Sequence, residues 1–165
     1  MQLNFIANAD VPSASGRTLP VIDPSDGQPY DEIQRSNAAD IDSAVRAARD
    51  CFEGVWHKVS AADRGRLLFK LSQKIAEHVD ELAAIEQRDC GKPVKQARAD
   101  ALALVRYFEF YAGACDKLHG ETIPYQDGYS VFTWREPHGV TGHVIPWNYP
   151  CLLYTSDAAD DLLCV

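Results

Sequence analysis

The chemically richest stretch of this 165-residue chain is Pro146-Trp147-Asn148-Tyr149-Pro150, which follows the apolar run Gly139-Val140-Thr141-Gly142-His143-Val144-Ile145. Two prolines fix φ and withdraw backbone donors, so the segment is stiff and cannot extend a sheet. A strand over 139–145 would hold Trp147 and Asn148 at its carboxyl end, where open α/β sheets bind ligands. The Asn148 amide offers two neutral N–H donors, which suits it to stabilising a negative oxygen that develops during a reaction. The same residues also suit a structural turn in which Asn148 caps a helix and Trp147 fills a core. The chain contains no H-E-x-x-H, no G-x-S-x-G, no Walker loop and no G-x-G-x-x-G after a strand. The histidines His57, His78, His119, His138 and His143 stand at no ligand spacing. They read as surface or satisfied core residues, and no metal site is predicted. Lys92, between Gly91 and Pro93, reads as the cation expected at a helix C-terminus rather than a phosphate contact.

The elements that must position this segment follow from periodicity. Leu3–Ile6 and Thr18–Ile22 are short apolar runs separated and followed by turn residues, which predicts two strands. Asn37 with Asp40 three residues on is a helix start signal, and Ile41, Ala44, Val45, Ala48 and Phe52 follow at helical spacing until Gly54. Ser60 and Asp63 repeat the signal. They open a helix with Leu67, Leu68, Leu71, Ile75 and Val79 on one face and Arg64, Lys70, Gln73, Lys74 and Glu77 on the other. Asp80 is placed to cap a further helix through Leu82 and Ile85, which halts at Gly91-Lys92-Pro93. Val94–Cys115 reads as a third long helix with Ala101, Leu104, Val105, Phe108 and Tyr111 as its buried stripe. From Glu121 the pattern alternates, and Asp127-Gly128 between β-branched and aromatic runs predicts a hairpin.

Composition bounds the remaining possibilities. Hydrophobic residues make up 46% of the chain and charged residues 24%, values typical of globular proteins, which excludes a disordered or low-complexity chain. The net charge of -8 repels a phosphate backbone, so no nucleic-acid partner is expected. No apolar run is long enough to span a bilayer, and no secretory leader precedes the first element, so no membrane association is predicted. The five cysteines (Cys51, Cys90, Cys115, Cys151, Cys164) form no C-x-x-C pair and read as reduced thiols in a cytoplasm.

Glu136-Pro137-His138-Gly139-Val140-Thr141-Gly142-His143-Val144-Ile145-Pro146-Trp147-Asn148-Tyr149-Pro150 resembles the aldehyde dehydrogenase superfamily. The resemblance covers residues 1–150 in order. It includes Val21-Ile22-Asp23-Pro24 with Gly27, Ala47-Ala48-Arg49, Arg64-Gly65-Arg66-Leu67-Leu68, Glu86, Asp89, Gly91-Lys92-Pro93, Tyr107, Tyr111-Ala112-Gly113 and Gly120. It implies NAD- or NADP-dependent oxidation of a small-molecule aldehyde to a carboxylic acid. In that chemistry a cysteine thiolate forms a thiohemiacetal, the nicotinamide takes a hydride, and a glutamate-activated water cleaves the thioester. Asn148 matches the family asparagine of the oxyanion hole, and Ile145, Pro146 and Trp147 match the loop lining the nicotinamide end of the cofactor site. Ile22 and Asp89 stand where some members hold a monovalent cation through backbone oxygens. The family's nucleophile, catalytic glutamate, glycine-containing cofactor turn and ribose-binding lysine all lie beyond the position of Pro150. None of the five cysteines is therefore given a catalytic role, and the chain alone is expected to be inactive.

The expected fold is α/β: an incomplete N-terminal portion of the aldehyde dehydrogenase fold with its oligomerisation hairpin and first Rossmann-like strand. Residues 1–120 are assigned to the N-terminal part of the cofactor domain and 121–137 to the hairpin. Residues 138–150 are assigned to the first strand and cofactor loop. Residues 151–165, with three aspartates, two cysteines and no basic residue, match no family segment and read as translated library or adaptor sequence; residues 1–150 carry 21 acidic and 16 basic residues. A homo-oligomer, dimer or tetramer, is expected of a complete subunit. The competing reading is a non-catalytic helical and hairpin module that acts by self-association or partner binding through its strand edges.

Overall fold

The computed structural model describes residues 1–150, and the tail boundary expected at 151 lies outside the described residues. Two antiparallel strand pairs come first. β1 (Asn4–Ile6) pairs with β2 (Ala9–Val11) across Ala7 and Asn8, both at positive φ, as a type I′ turn requires. β3 (Thr18–Ile22) pairs with β4 (Pro29–Gln34) in the register Thr18↔Gln34, with a bulge between Val21 and Ile22. The Asp23 carboxylate organises the connecting turn, accepting from the Ser25 N–H at 2.9 Å and the Ser25 hydroxyl at 2.6 Å. Leu3–Ile6 and Thr18–Ile22 are thus strands as expected, but each pairs with a neighbour absent from the sequence-based reading. β2 lacks an Asn-Gly or Asp-Gly turn, and β4 opens on a proline and carries two acidic residues, so neither resembles a buried strand.

Four helices follow. α1 (Ala38–Glu53) starts on a full capping box: Asn37 accepts from the Ala39 and Asp40 N–H groups, and the Asp40 carboxylate accepts from the Asn37 N–H at 2.8 Å. A single 3-10 turn at Trp56–Lys58 leads to α2 (Ala61–Glu77), whose cap is Ser60, accepting from the Asp63 N–H. α3 (Val79–Cys90) starts without a side-chain cap, because Asp80 lies inside it and pairs with Arg98 at 2.8 Å instead. Gly91 closes α3 in the left-handed conformation at φ +71. α4 (Val94–Ala114) packs along both α2 and α3.

The core lies where these three helices meet and consists of Ile75, Val79, Ala83, Ala97, Ala101 and Leu104, with Ser72 fully enclosed. Its residues are small because the helices approach closely. A Cβ built on Gly65 of α2 would lie 2.6 Å from the Ala112 carbonyl oxygen of α4. Leu67 and Leu71, expected inside, are exposed, and Ser72 and Gly65 occupy the contact face of α2 in their place. Ala101 and Leu104 are buried as expected, Val105 and Phe108 are half-buried, and Tyr111 is exposed.

Beyond α4, β5 (Thr122–Ile123) pairs with β6 (Val131–Phe132). The hairpin forms with Asp127-Gly128 at the centre of its turn, as expected, within a loop longer than two residues because the ladder ends at Ile123↔Val131. Gly128, at φ +86, is the third residue of a turn closed by the Tyr129 N–H on the Gln126 carbonyl. Pro124 ends the β5 ladder because it has no N–H to donate. Residues 139–145 form no strand. The sequence-based expectation fails there because a strand exists only when a neighbour completes its hydrogen bonds, and no neighbour lies beside these residues among those described.

Candidate functional site

Residues 138–150 lie over the helices as an irregular segment. Gly139 is at φ +93 with the Phe52 ring 3.6 Å from where a Cβ would lie, and the Tyr149 N–H reaches back to the Pro146 carbonyl at 3.4 Å, closing the proline-bracketed turn. Ile145 is half-buried, whereas Pro146, Trp147 and Asn148 are exposed. Trp147 is 73% exposed, so it fills no core among the described residues. The structure therefore presents the indole face and the Asn148 amide side by side to solvent on a stiff support. The four predicted site residues are adjacent through the chain itself, and no second catalytic group is brought to them among the described residues.

Tyr149, the next residue, is tied into the body of the protein. Its hydroxyl donates to Asp100 Oδ1 at 3.4 Å, and the Lys92 ammonium lies 4.7 Å from its ring centroid. Lys92 itself bridges Glu86 Oε1 at 2.5 Å and Asp100 Oδ2 at 2.8 Å, and Gln96 donates to Asp100 Oδ1 at 2.7 Å. The three charged side chains are nearly enclosed: Glu86 is 4% exposed and Asp100 3%. Burial works against the Lys92 charge, but hydrogen bonds to Asp100 and Glu86 and their negative charges outweigh it and hold the ammonium above its usual range. Burial first, then the Asp100 charge, pushes the Tyr149 phenol up. One carboxylate oxygen, Glu86 Oε2, is buried without a hydrogen-bond partner among the described residues.

Sequence reasoning placed Lys92 at a helix end and missed its two partners. The available signal was the position of Asp100, which shares the α4 face of Ala97, Ala101 and Leu104 at spacings of three and four, where an acid is out of place unless paired. Glu86, seven residues after Val79 and three after Ala83, repeats the anomaly on α3.

At the same C-terminal end of α3, the β3–β4 turn meets the helix terminus. Tyr30 donates to Asp89 Oδ1 at 3.4 Å, the Arg88 guanidinium stacks 4.1 Å from the Tyr30 ring centroid, and a Cβ built on Gly91 would lie 3.1 Å from the Pro24 ring. Ile22, the last residue of β3, and Asp89 therefore belong to two segments that meet. No group of three or more His, Cys, Asp or Glu side chains placed to hold a metal occurs among the described residues. Cys51, Cys90 and Cys115 are free thiols, and the latter two donate to carbonyls one turn back, of Glu86 and Tyr111. Cys151 and Cys164 lie outside the described residues.

The sequence profile described as the aldehyde dehydrogenase family matches residues 11–164, so the match runs past the boundary expected after Pro150. A mitochondrial aldehyde dehydrogenase family 2 member B4 from Arabidopsis thaliana is 43% identical over 156 residues, covering 93% of this chain and 29% of that protein. A crystal structure of a protein assigned as an aldehyde dehydrogenase in Burkholderia cenocepacia superposes with a TM-score of 0.90 at 61% identity, over 93% of this chain and 32% of that one. An NAD+ complex of an aldehyde dehydrogenase from Bacillus cereus superposes with a TM-score of 0.89 at 37% identity, over 94% of this chain and 32% of that one. The chain thus spans about a third of the length of the relatives it matches.

Proposed function

Since the chain belongs to the aldehyde dehydrogenase family and folds as part of that family's fold, we propose that residues 1–150 form the first third of an NAD(P)-dependent aldehyde dehydrogenase subunit. In this reading Asn148 is its oxyanion donor. The observation that carries the reading is the exposed Asn148 amide on a turn stiffened by Pro146 and Pro150 and anchored at Tyr149. As a cysteine thiolate adds to an aldehyde carbon, a carbon–sulfur bond forms and the π pair of the carbonyl moves onto oxygen. An Asn148 N–H aimed at that oxygen stabilises the charge where it develops. The exposed Trp147 ring, with Ile145 and Pro146 beside it, gives the apolar surface that fits the nicotinamide end of NAD or NADP. Residues beyond 150 would hold the rest of the dinucleotide. When bound, that cofactor accepts the hydride that turns the aldehyde into a carboxylic acid.

The nucleophile is assigned to a cysteine other than the five in this chain, so the 165 residues alone are inactive in this reading. The division into a cofactor-domain portion (1–120), an oligomerisation hairpin (121–137) and a cofactor loop (138–150) belongs to the same proposal. So do a dimeric or tetrameric assembly and a cytoplasmic location consistent with unpaired thiols.

The test is a complete subunit recovered by extending the gene beyond codon 150. It should reduce NAD+ or NADP+ only in the presence of an aldehyde, and Asn148→Ala should lower kcat by roughly 10²–10³, the range for loss of one oxyanion donor. A kcat within a few-fold of wild type would remove Asn148 from the mechanism. Absence of aldehyde-dependent nucleotide reduction would favour the non-catalytic module.

A further inference from the structure

Three ionisable side chains enclosed together are an expensive way to join two helices. Well-packed apolar residues of similar volume usually serve stability as well or better. The unpartnered Glu86 Oε2 adds a further desolvation cost. Stability alone therefore does not account for the Glu86–Lys92–Asp100 cluster, and its placement suggests what does. Glu86 comes from α3, Lys92 from the connection after Gly91 and Asp100 from α4, so Lys92 sits where the two helices are joined. Lys92 and Gln96 hold the Asp100 carboxylate from both oxygens, which leaves Oδ1 fixed to receive the Tyr149 hydroxyl while the ammonium lies over the Tyr149 ring.

No ladder holds residues 139–145, and Val144 is fully exposed. The Tyr149–Asp100 hydrogen bond ties residues 138–150 to α4. Tyr149 follows Asn148 directly and precedes Pro150, whose φ is fixed, so a shift of the tyrosine is passed to the amide instead of being absorbed by the chain.

We infer that the buried Glu86–Lys92–Asp100 cluster is a positioning device for Asn148, holding Tyr149 from two sides and through it the turn that presents the amide. None of the three touches the reacting atoms; they act through the backbone at 148–149. The inference rests on the oxyanion role given to Asn148, and a double-mutant cycle in the complete subunit separates the two.

Lys92→Met keeps the side-chain stem and removes the charge, and Asp100→Asn keeps the shape. Each should lower kcat by roughly 10-fold, the scale of a misplacement of under an ångström at a catalytic donor, with the KM for the nicotinamide nucleotide within two- to three-fold of wild type. In an Asn148→Ala background the same substitutions should cost nothing further, because the group they position is gone. A merely structural role predicts the opposite, an equal loss in both backgrounds, and that result, or a wild-type kcat in both single variants, overturns the inference. Should Lys92→Met fail to fold, Tyr149→Phe, which removes only the hydroxyl, carries the same cycle. If Asn148→Ala itself leaves kcat unchanged, the oxyanion reading has failed before any cluster variant is made, and the positioning role falls with it.

Discussion

The Asp40 carboxylate shows how much a single side chain does here. It accepts from the Asn37 N–H, closing the capping box of α1, and also from the Ala14 N–H at 2.8 Å and the Ser13 hydroxyl at 2.9 Å, clamping the loop after β2 onto the helix start. The backbone donors of Ala14 and Asn37 stabilise the ionised form and hold its pKa below the ordinary carboxylate value. With the folded value depressed, the stabilising contribution is fully present above the unfolded value of 3.8 and is lost as pH falls through the lower folded value. Asp40→Asn should therefore flatten the acid limb of stability: between about pH 5 and pH 2 its denaturation midpoint falls less than that of wild type. Identical acid limbs would show that the clamp does not depend on charge. Asn37→Ala, which removes the neutral half of the box, should cost about 1 kcal/mol in urea unfolding at neutral pH. The Asn37–Asp40 half of this arrangement was legible, because a capping box is local and its spacing of three is visible. The Ser13 half was not, because the partner lies 27 positions away and nothing in Ser13 marks it. The stiff, proline-bracketed turn carrying Trp147 and Asn148 was legible for the first reason, and the anchoring of Tyr149, 49 positions from Asp100, was missed for the second.

Among the elements, the three packed helices could be read from their spacing, but the faces they bury could not. Periodicity places Leu67 and Leu71 inward on α2, yet the helix turns Gly65 and Ser72 to α4, because a close crossing selects small residues over greasy ones. A mid-helix glycine is normally about 1 kcal/mol less favourable than alanine, so Gly65→Ala in an open position would stabilise. Here the added methyl meets the Ala112 carbonyl at 2.6 Å, backbone that cannot rotate away. Gly65→Ala should therefore destabilise by about 1–3 kcal/mol, seen as a lower thermal midpoint, because overpacking outweighs the propensity gain. An unchanged or raised midpoint would mean that α2 and α4 slide apart at little cost. The strands follow a different logic, since β2 and β4 exist because β1 and β3 offer edges to them. Residues 139–145 have a better strand sequence than either and form none, because pairing is a property of two segments and sequence periodicity describes only one.

At the scale of the whole molecule, a six-residue apolar core among the described residues coexists with a broad exposed apolar surface. Phe5, Phe69, Phe110, Trp134, Val144 and Trp147 all lie at the surface, far from the scattered single residues that ordinary monomers show. The hairpin adds open edges, since among the described residues β5 and β6 pair only with each other, and Phe132 and Trp134 are exposed beside them. Contiguous exposed apolar surface of this kind favours association. The 165-residue chain made alone should therefore self-associate at micromolar concentration. Sedimentation velocity should show a concentration-dependent distribution of species, and heating should give a broad transition rather than a sharp one. Paired substitution of Phe132 and Trp134 by serine should narrow that distribution while leaving the α2–α4 core intact, because neither residue contributes to it. A monodisperse monomer with a sharp cooperative melt would show that the helices bury enough for independent stability. The exposed face would then be a surface this protein tolerates rather than one that other parts of a subunit must cover.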